Sequence, residues 1–197
     1  MDFLKKHKTL VIIAVLAIIA LWGITGYNGL VGMDEGVQTK WADVETQYQR
    51  RADLIPNLVN TVKGYAAHES ETLQAVVEAR AKATSVNIDP TNMSAEQIAT
   101  FQKVQDGVSS ALGRLLVTVE KYPDLKANEN FKELQAQLEG TENRISVARR
   151  DYNEAARKYN TTLRSFPKNI LASIFGFEKK AYFEAQEGSE QAPAVQF

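Results

Sequence analysis

The N-terminus of this chain constrains its fold more than any other segment. A short basic segment, residues 1–8, is followed by residues 9–33, which contain no Asp, Glu, Lys or Arg. A helix needs about 20 mostly apolar residues to cross a bilayer, so residues 9–28 are long enough to form a transmembrane anchor. Trp22 and Tyr27 suit the membrane interface, where such rings prefer to lie. The basic residues before the anchor favour a cytoplasmic N-terminus and an extracytoplasmic main domain.

A cleaved signal peptide is the alternative interpretation of the same segment. The apolar region of a signal peptide is about 7–15 residues long and ends at small residues in an Ala-x-Ala pattern. The stretch from Ile19 to Gly26 has no clean site of this kind, and the chain has no cysteine that could accept a lipid. The sequence therefore favours an uncleaved, single-pass anchor.

Composition excludes several classes of function. The net charge of −1 over 197 residues offers no basic surface for nucleic acid. The absence of cysteine excludes thiol nucleophiles, iron–sulfur clusters and cysteine-ligated zinc. His68-Glu69 begins like a zinc-protease motif, but Thr72 stands where the second histidine is required. We predict a protein that is not an enzyme, with no catalytic residue, no cofactor and no metal site.

Three runs of apolar residues repeat every three or four positions, which is the heptad spacing of packed helices. The runs extend from Val37 to Tyr65, from Ile98 to Tyr122 and from Phe131 to Phe166. Pro56 removes a backbone donor within the first run, so we expect a kink or break near Leu54. Helical composition continues beyond this run as far as Ala79.

Turn signals separate these runs. Residues 85–92 have no helical period and contain turn-forming residues, which predicts a loop. Ser94 and Gln97 form the pattern of a capping box at the start of the next helix. Pro123 disfavours helix in the residue before it and ends the second run. No alternating strand pattern of useful length occurs, so the fold class is all-α.

The predicted organisation is an elongated antiparallel helical bundle with coiled-coil character and three long passes. It occupies residues 29–183, after the transmembrane helix. Residues 184–197 are polar and contain Pro193, so we predict a flexible tail. With three passes, the third ends far from the membrane, so Phe166 is expected at the end of the bundle opposite the anchor, unless the first helix bends at Pro56.

Arg51 occupies a position of the first run where an apolar residue is expected. A buried charge needs a partner. Because Asp53 is too close along the helix to face Arg51 well, we expect a carboxylate from another pass, such as Glu142. Arg51, Asp53 and Asn57 are a candidate interaction site. The alternative, which the sequence favours, is an internal ion-pair network that fixes the register of the helices.

A second candidate interaction site is the apolar cluster of Ile170, Ile174, Phe175 and Phe177, which is flanked by lysines. One interpretation is an interfacial helix that contacts the membrane. The other is that the cluster covers the end of the bundle or contacts another subunit, which the three-pass geometry favours. We expect a homo-oligomer, because the anchor confines copies to two dimensions and exposed apolar patches usually mark interaction sites.

Tyr-Asn pairs recur at one heptad spacing in the third run, at residues 152–153 and 159–160. This spacing places both tyrosines on one face of the helix, with an asparagine beside each. Packing in the core, with each hydroxyl reaching a hydrogen-bond partner, explains the repeat.

Several ordered strings along the chain resemble the bacterial LemA family. They are Tyr27–Val31, Trp41–Glu45, Arg50–Val59, Lys63–Tyr65, His68-Glu69, Leu138–Ile145, Tyr152-Asn153, Tyr159-Asn160, Phe166-Pro167 and Gly176-Phe177. The resemblance covers nearly the whole chain. It implies a single-pass protein of the bacterial cell (inner) membrane with an antiparallel helical bundle, and it implies no agreed biochemical activity.

Two functions fit these observations. The first is a non-enzymatic scaffold of the cell envelope that associates with itself or with other envelope membrane proteins. The alternative is a sensor or adaptor that binds a peptide or small ligand and regulates a membrane enzyme. Apolar residues on more than one helix face, as at Val76-Val77 and Leu115–Val117, favour the first. A pocket with convergent polar groups would favour the second.

Overall fold

The computed structural model describes residues 2–91 and 93–184, with side chains from His7 onward. Its helices are α1 (Asp2–Lys63), α2 (Ser70–Ser85), α3 (Ala95–Val119), α4 (Pro123–Ala127), α5 (Glu129–Arg164) and α6 (Lys168–Phe175). Within the described ranges there is no strand. The prediction of an all-α helical bundle with an N-terminal apolar helix is confirmed. Apart from Glu184, the predicted flexible tail lies outside the described residues.

The chain divides into two compact units. Residues 1–39 and 154–180 form the first, here called the anchor unit. Residues 40–153 and 181–184, among those described, form the second, the bundle unit. Helices α1 and α5 each contribute residues to both units.

Four helices run in alternating directions in the bundle unit. Trp41 of α1 contacts Phe101 near the start of α3, and Glu69, after the end of α1, is bonded to Tyr122 after the end of α3. Helices α1 and α3 are therefore parallel. Trp41 also contacts Tyr152 late in α5, which makes α5 antiparallel to α1.

The return of α2 along α1 was not predicted. Residues 64–69 form turns, and α2 then leads back until Arg80 donates a hydrogen bond to the carbonyl oxygen of Ala52 at 2.7 Å. The helical composition after Tyr65 thus belongs to a separate, shorter helix. The three long passes of the prediction correspond to α1, α3 and α5, and the shorter α2 adds a fourth pass.

Of the kink or break expected near Leu54, the break is wrong. Helix α1 continues through Pro56 to Lys63. A proline inside a helix costs about 3 kcal/mol. On either side of it, Ile55 and Leu58 are completely buried in the bundle core, and burial of such side chains contributes about 1.5–3 kcal/mol each. Tertiary packing therefore outweighs the local cost.

The predicted helix boundaries beyond α2 are confirmed. Ser94 and Gln97 form the capping box, in which each side chain accepts a hydrogen bond from the other residue's backbone nitrogen. Helix α3 ends at Val119, shortly before Pro123. Asn128 caps α5 by accepting a hydrogen bond from the backbone nitrogen of Phe131.

The anchor unit joins the first part of α1 to the end of α5 and to α6. Leu30 and Val37 of α1 and Tyr159 of α5 are fully buried there. Helix α6 touches α1 at Gly26, where an added Cβ would lie 2.5 Å from Cδ1 of Leu171. A side chain at position 26 would therefore require the Leu171 side chain to shift.

The expectation that Phe166 lies at the end opposite the anchor is wrong. Helix α6, which begins two residues after Phe166, contacts α1 at Gly26 and Tyr27, the last part of the predicted anchor. The reason is the additional helix α2, because an even number of passes returns the chain to the side from which it started.

Candidate functional site

Arg51 is the centre of a buried polar network in the bundle unit. Its side chain is 1% exposed. Nη1 donates to Oγ of Ser109 at 2.8 Å and to Oε1 of Glu142 at 2.9 Å. Nη2 donates to the carbonyl oxygen of Gln105 at 2.9 Å and to its Oε1 at 2.7 Å. The predicted partner Glu142 is confirmed, and the network joins α1, α3 and α5.

An aromatic ring completes the surroundings of this guanidinium. The Arg51 Cζ atom lies 5.1 Å from the centre of the Tyr48 ring, a cation–π arrangement. Burial raises the pKa of the Tyr48 hydroxyl, against the lowering effect of Arg149 and Arg51. The ring therefore stays neutral over the physiological range and can contribute to holding the cation.

The three residues of the first candidate site do not converge. Arg51 and Asp53 both line an open groove with a volume of about 1000 Å³, whereas Asn57 does not line it. Asp53 is exposed and accepts a hydrogen bond from Gln49 at 2.7 Å. The contacts of Arg51 have the form of the internal network that the sequence favoured.

The asparagines of the two Tyr-Asn pairs hold the chain that follows α6, a role that the sequence analysis missed. In the anchor unit, Asn160 Nδ2 donates to the carbonyl oxygen of Lys180 at 2.8 Å, and Asn160 Oδ1 accepts from the Lys180 backbone nitrogen at 2.9 Å. In the bundle unit, Asn153 makes the same two bonds to Phe183, both at 2.9 Å. Each side-chain amide thus pairs with a backbone N–H and a carbonyl group that would otherwise need a neighbouring strand or water as partner.

The heptad spacing of these asparagines was the signal that could have revealed their role. Seven residues of α-helix rise about 10.5 Å. Three residues of extended chain, the separation of Lys180 and Phe183, span about 10 Å. A helix that presents an asparagine every heptad therefore matches the repeat of an extended strand.

The tyrosines of the same pairs reach polar partners, as the sequence predicted. The Tyr152 hydroxyl donates to the carbonyl oxygen of Ala181 at 2.9 Å. Tyr159 is bonded to Asp34 in the anchor unit. Burial is the main cause that raises the pKa of both hydroxyls, and the Asp34 charge raises that of Tyr159 further. Both tyrosines are neutral hydrogen-bond donors at physiological pH.

Lys180 is a second buried cation, and it lies in the anchor unit. Its Nζ is 2.9 Å from Oδ1 of Asp34, and its side chain is 8% exposed. The same ammonium lies 5.9 Å from the centre of the Tyr159 ring. Asp34, Tyr159, Asn160 and Lys180 therefore form one connected polar cluster.

Phe183 fills the aromatic core of the bundle unit. Its ring stacks on Trp41 with the centres 5.7 Å apart and an interplanar angle of 11°. The Cζ atom of Arg149 lies 4.7 Å from the centre of the Phe183 ring. The chain segment held by Asn153 therefore supplies part of the core.

The second candidate site lies in the anchor unit. Ile170, Ile174 and Phe175 are exposed at 46%, 69% and 55%. Phe177 is half-buried, and its ring centre lies 5.7 Å from that of Tyr27. The structure therefore brings the four residues together on and just after one short helix beside α1.

The residues weighed for metal binding do not form a site. His68 is exposed and lies in a turn, so it does not lie on a helix as the zinc-protease motif would require. Among the described residues, no group of three or more His, Cys, Asp or Glu side chains could hold a metal ion.

Taken together, the apolar N-terminal helix and the helical bundle define a membrane-associated bundle protein. Among the described residues, α1 is the one helix long and apolar enough to cross a membrane. The family model described as the LemA family matches residues 40–197. The chain belongs to the LemA family.

Known relatives agree with this assignment. Magnetosome protein MamQ 2 of Paramagnetospirillum magneticum is 30% identical over 92% of this chain and 74% of its own length. Magnetosome protein MamQ of Magnetospirillum gryphiswaldense is 28% identical over 83% of this chain and 66% of its own length. Protein LemA of Metamycoplasma hominis is 24% identical over 81% and 69%. None of these names denotes an enzyme.

Proposed function

We propose that this protein is a non-enzymatic, membrane-anchored scaffold of the bacterial cell envelope that acts through self-association or partner binding. The observation that carries the proposal is a set of apolar side chains on the outside of the bundle unit. Val77 of α2 is 48% exposed, Val117 of α3 is 71% exposed and Val147 of α5 is 46% exposed.

These valines are surplus to the core of the bundle unit. Val76 and Leu115, beside them in the sequence, are fully buried and complete the inner seam. Helices with one inward apolar stripe are satisfied by their own bundle. Apolar residues on the outer faces of such helices favour contact with a second copy or with another protein.

The self-association test uses charged substitutions on the outer face. The double variant Val77→Asp/Val117→Asp should convert a detergent-solubilised oligomer into monomers, as measured by mass photometry, with unchanged helical content. The control is Gln74→Asp, which adds one charge to an exposed site on α2. A monomeric wild-type protein that also captures no envelope membrane protein in cross-linking would contradict the scaffold function.

We also propose that the N-terminus is cytoplasmic and that the bundle unit lies outside the cytoplasm of a bacterial inner membrane. The basic residues before the anchor support this orientation. Because the chain lacks cysteine, a single Glu71→Cys variant provides a unique, exposed site for an impermeant thiol reagent. Labelling in intact spheroplasts is expected. Labelling only after lysis would reverse the topology.

A sensor or adaptor that regulates a membrane enzyme is the second candidate function, and the groove beside Arg51 favours it. Arg51, Arg80, Gln105 and Asp53 all line this groove, so residues of both charges border it. Thr46→Trp would fill it from an exposed position. If Thr46→Trp abolishes complementation of a deletion strain and Val77→Asp/Val117→Asp does not, the sensor function replaces the scaffold.

A further inference from the structure

Helix α6 is apolar on two sides, and only one side is covered. Leu171 and Ala172 are buried within the anchor unit. The outward residues, together with one residue that precedes the helix, form what is here called the α6 patch: Phe166, Ile170, Ile174 and Phe175. Phe166 is 82% exposed. An exposed apolar patch usually marks a surface that contacts another protein or a membrane.

The position of α6 along α1 indicates whether protein or lipid covers the α6 patch. Contact with α1 occurs at Gly26 and Tyr27, where the Tyr27 and Phe175 ring centres are 4.8 Å apart. A helix that enters the hydrocarbon at Leu10 rises about 24 Å by Gly26, close to the roughly 30 Å thickness of the hydrocarbon core. Helix α6 therefore meets α1 at the level where α1 leaves a bilayer.

The α6 patch continues the surface that α1 offers to lipid. Leu21 and Ile24, within the last turns of the apolar segment, are 64% and 59% exposed. A bilayer that covers these side chains ends beside the α6 patch. A lipid surface can thus cover both sets of side chains without any further protein.

The charge around α6 fits a lipid headgroup region. Residues 155–177 contain no Asp or Glu, whereas Arg164 ends α5 and Lys168 begins α6. Glu178 and Lys179 follow the helix, and both are exposed. Basic residues that border an apolar helix face are typical of helices that lie in the interface, where they attract anionic headgroups.

We propose that the α6 patch inserts into the interfacial region of the same bilayer that holds the anchor. The ligand is a phospholipid surface, with anionic headgroups near Arg164, Lys168 and Lys179. This inference rests on the membrane anchoring in the proposed function and adds a second attachment to the bilayer. The competing occupant of the α6 patch is a second copy of this chain.

The experiment measures lipid contact at single labelled positions of the full chain. An environment-sensitive fluorophore is attached to Ile174→Cys or Phe166→Cys, in nanodiscs of zwitterionic and anionic phospholipid that each hold one copy. Brominated acyl chains then serve as quenchers. Leu16→Cys reports on the anchor itself, and Thr39→Cys, exposed and about 20 Å further along α1 than Gly26, is the matched control. Phe166 is so exposed that its replacement removes no core contact, and circular dichroism verifies folding.

Quenching at both α6 positions should exceed quenching at Thr39→Cys by at least about threefold. Quenching at Leu16→Cys without quenching at the α6 positions would overturn the inference and leave the anchoring intact. Absence of quenching at Leu16→Cys would overturn the anchoring and, with it, the inference. Blue-shifted emission at Ile174→Cys that requires several copies per disc, without lipid quenching, would assign the patch to self-association and overturn the inference.

Discussion

Two buried cations, one in each compact unit, are stabilised in different ways. Arg51 is held in the bundle unit by four hydrogen bonds from its planar guanidinium to three helical residues. Lys180 is held in the anchor unit by the carboxylate of Asp34 and by two hydrogen bonds between its backbone and the Asn160 side chain, one in each direction. The arginine is fixed through its side chain, whereas the lysine is fixed largely through its main chain.

The difference reflects the local structure of each residue. Arg51 lies in a helix whose backbone groups are already paired, so only its side chain is free to join the helices, and a guanidinium offers a fixed fork of donors. Lys180 lies in a segment outside the helices, whose backbone groups need partners. The burial of a cation at a seam position can therefore be predicted from the helical period, whereas the burial of a cation in an irregular segment cannot.

The largest expected effect is on the Arg51 network. Glu142→Ala leaves a fully buried guanidinium without its anion, which should lower the free energy of unfolding by about 3 kcal/mol. Arg51→Met should cost less, about 1–2 kcal/mol, because the Glu142 side chain is 42% exposed and water can solvate it. Urea denaturation of the solubilised protein measures both. Glu139→Ala, exposed on the same helix, is the control, and a larger cost for Arg51→Met would contradict the asymmetry.

The asparagine bonds should have the next largest effect. Asn160→Ala leaves the backbone groups of Lys180 unpaired, which should cost about 2 kcal/mol. Asn153→Ala should cost a similar amount through Phe183. Amide hydrogen exchange is the measurement, with faster exchange expected at the backbone nitrogen that loses its acceptor. Asn143→Ala, exposed on the same helix, should change neither stability nor exchange. Unchanged exchange in Asn160→Ala would show that the main chain holds Lys180 by other means.

The side-chain contact of Lys180 should matter less. Asp34→Asn removes the anion and keeps an acceptor of the same shape, and the expected loss is about 1 kcal/mol. The flexible lysine stem can carry its ammonium towards water, which a buried guanidinium cannot do. Thermal unfolding at low and high salt checks this, with exposed Glu35→Gln as the matched variant. A loss equal to that of Glu142→Ala would remove the distinction between the two cations.

The smallest expected effect is at His68, which sets the baseline for an exposed polar residue. His68→Ala should change the free energy of unfolding by less than about 0.5 kcal/mol, and any cellular phenotype should be unchanged. Elemental analysis of the purified wild-type protein provides the independent test. A stoichiometric transition metal that is lost in His68→Ala would contradict the prediction.

The Arg51 network could be predicted further than the other polar contacts. A charged residue at a seam position must face the other helices, so a carboxylate from another pass, such as Glu142, was expected as its partner. Gln105 and Ser109 did not follow, because their contribution depends on how α3 packs beside α1. Lys180 and Asp34 were also beyond prediction, since they are brought together by a segment without helical period.

Local sequence was enough to predict the apolar N-terminal helix, the helical class, the capping box at Ser94 and the family. These features depend on local periodicity and on interactions between residues close in the chain. Tertiary structure alone decided that α1 passes through Pro56 and that α2 returns as a separate helix. It also decided that α6 packs against α1 at Gly26. These outcomes depend on packing between residues distant in the chain, such as Gly26 and Leu171. The free energy of this packing outweighs local preferences, and it produces no periodic pattern in the sequence.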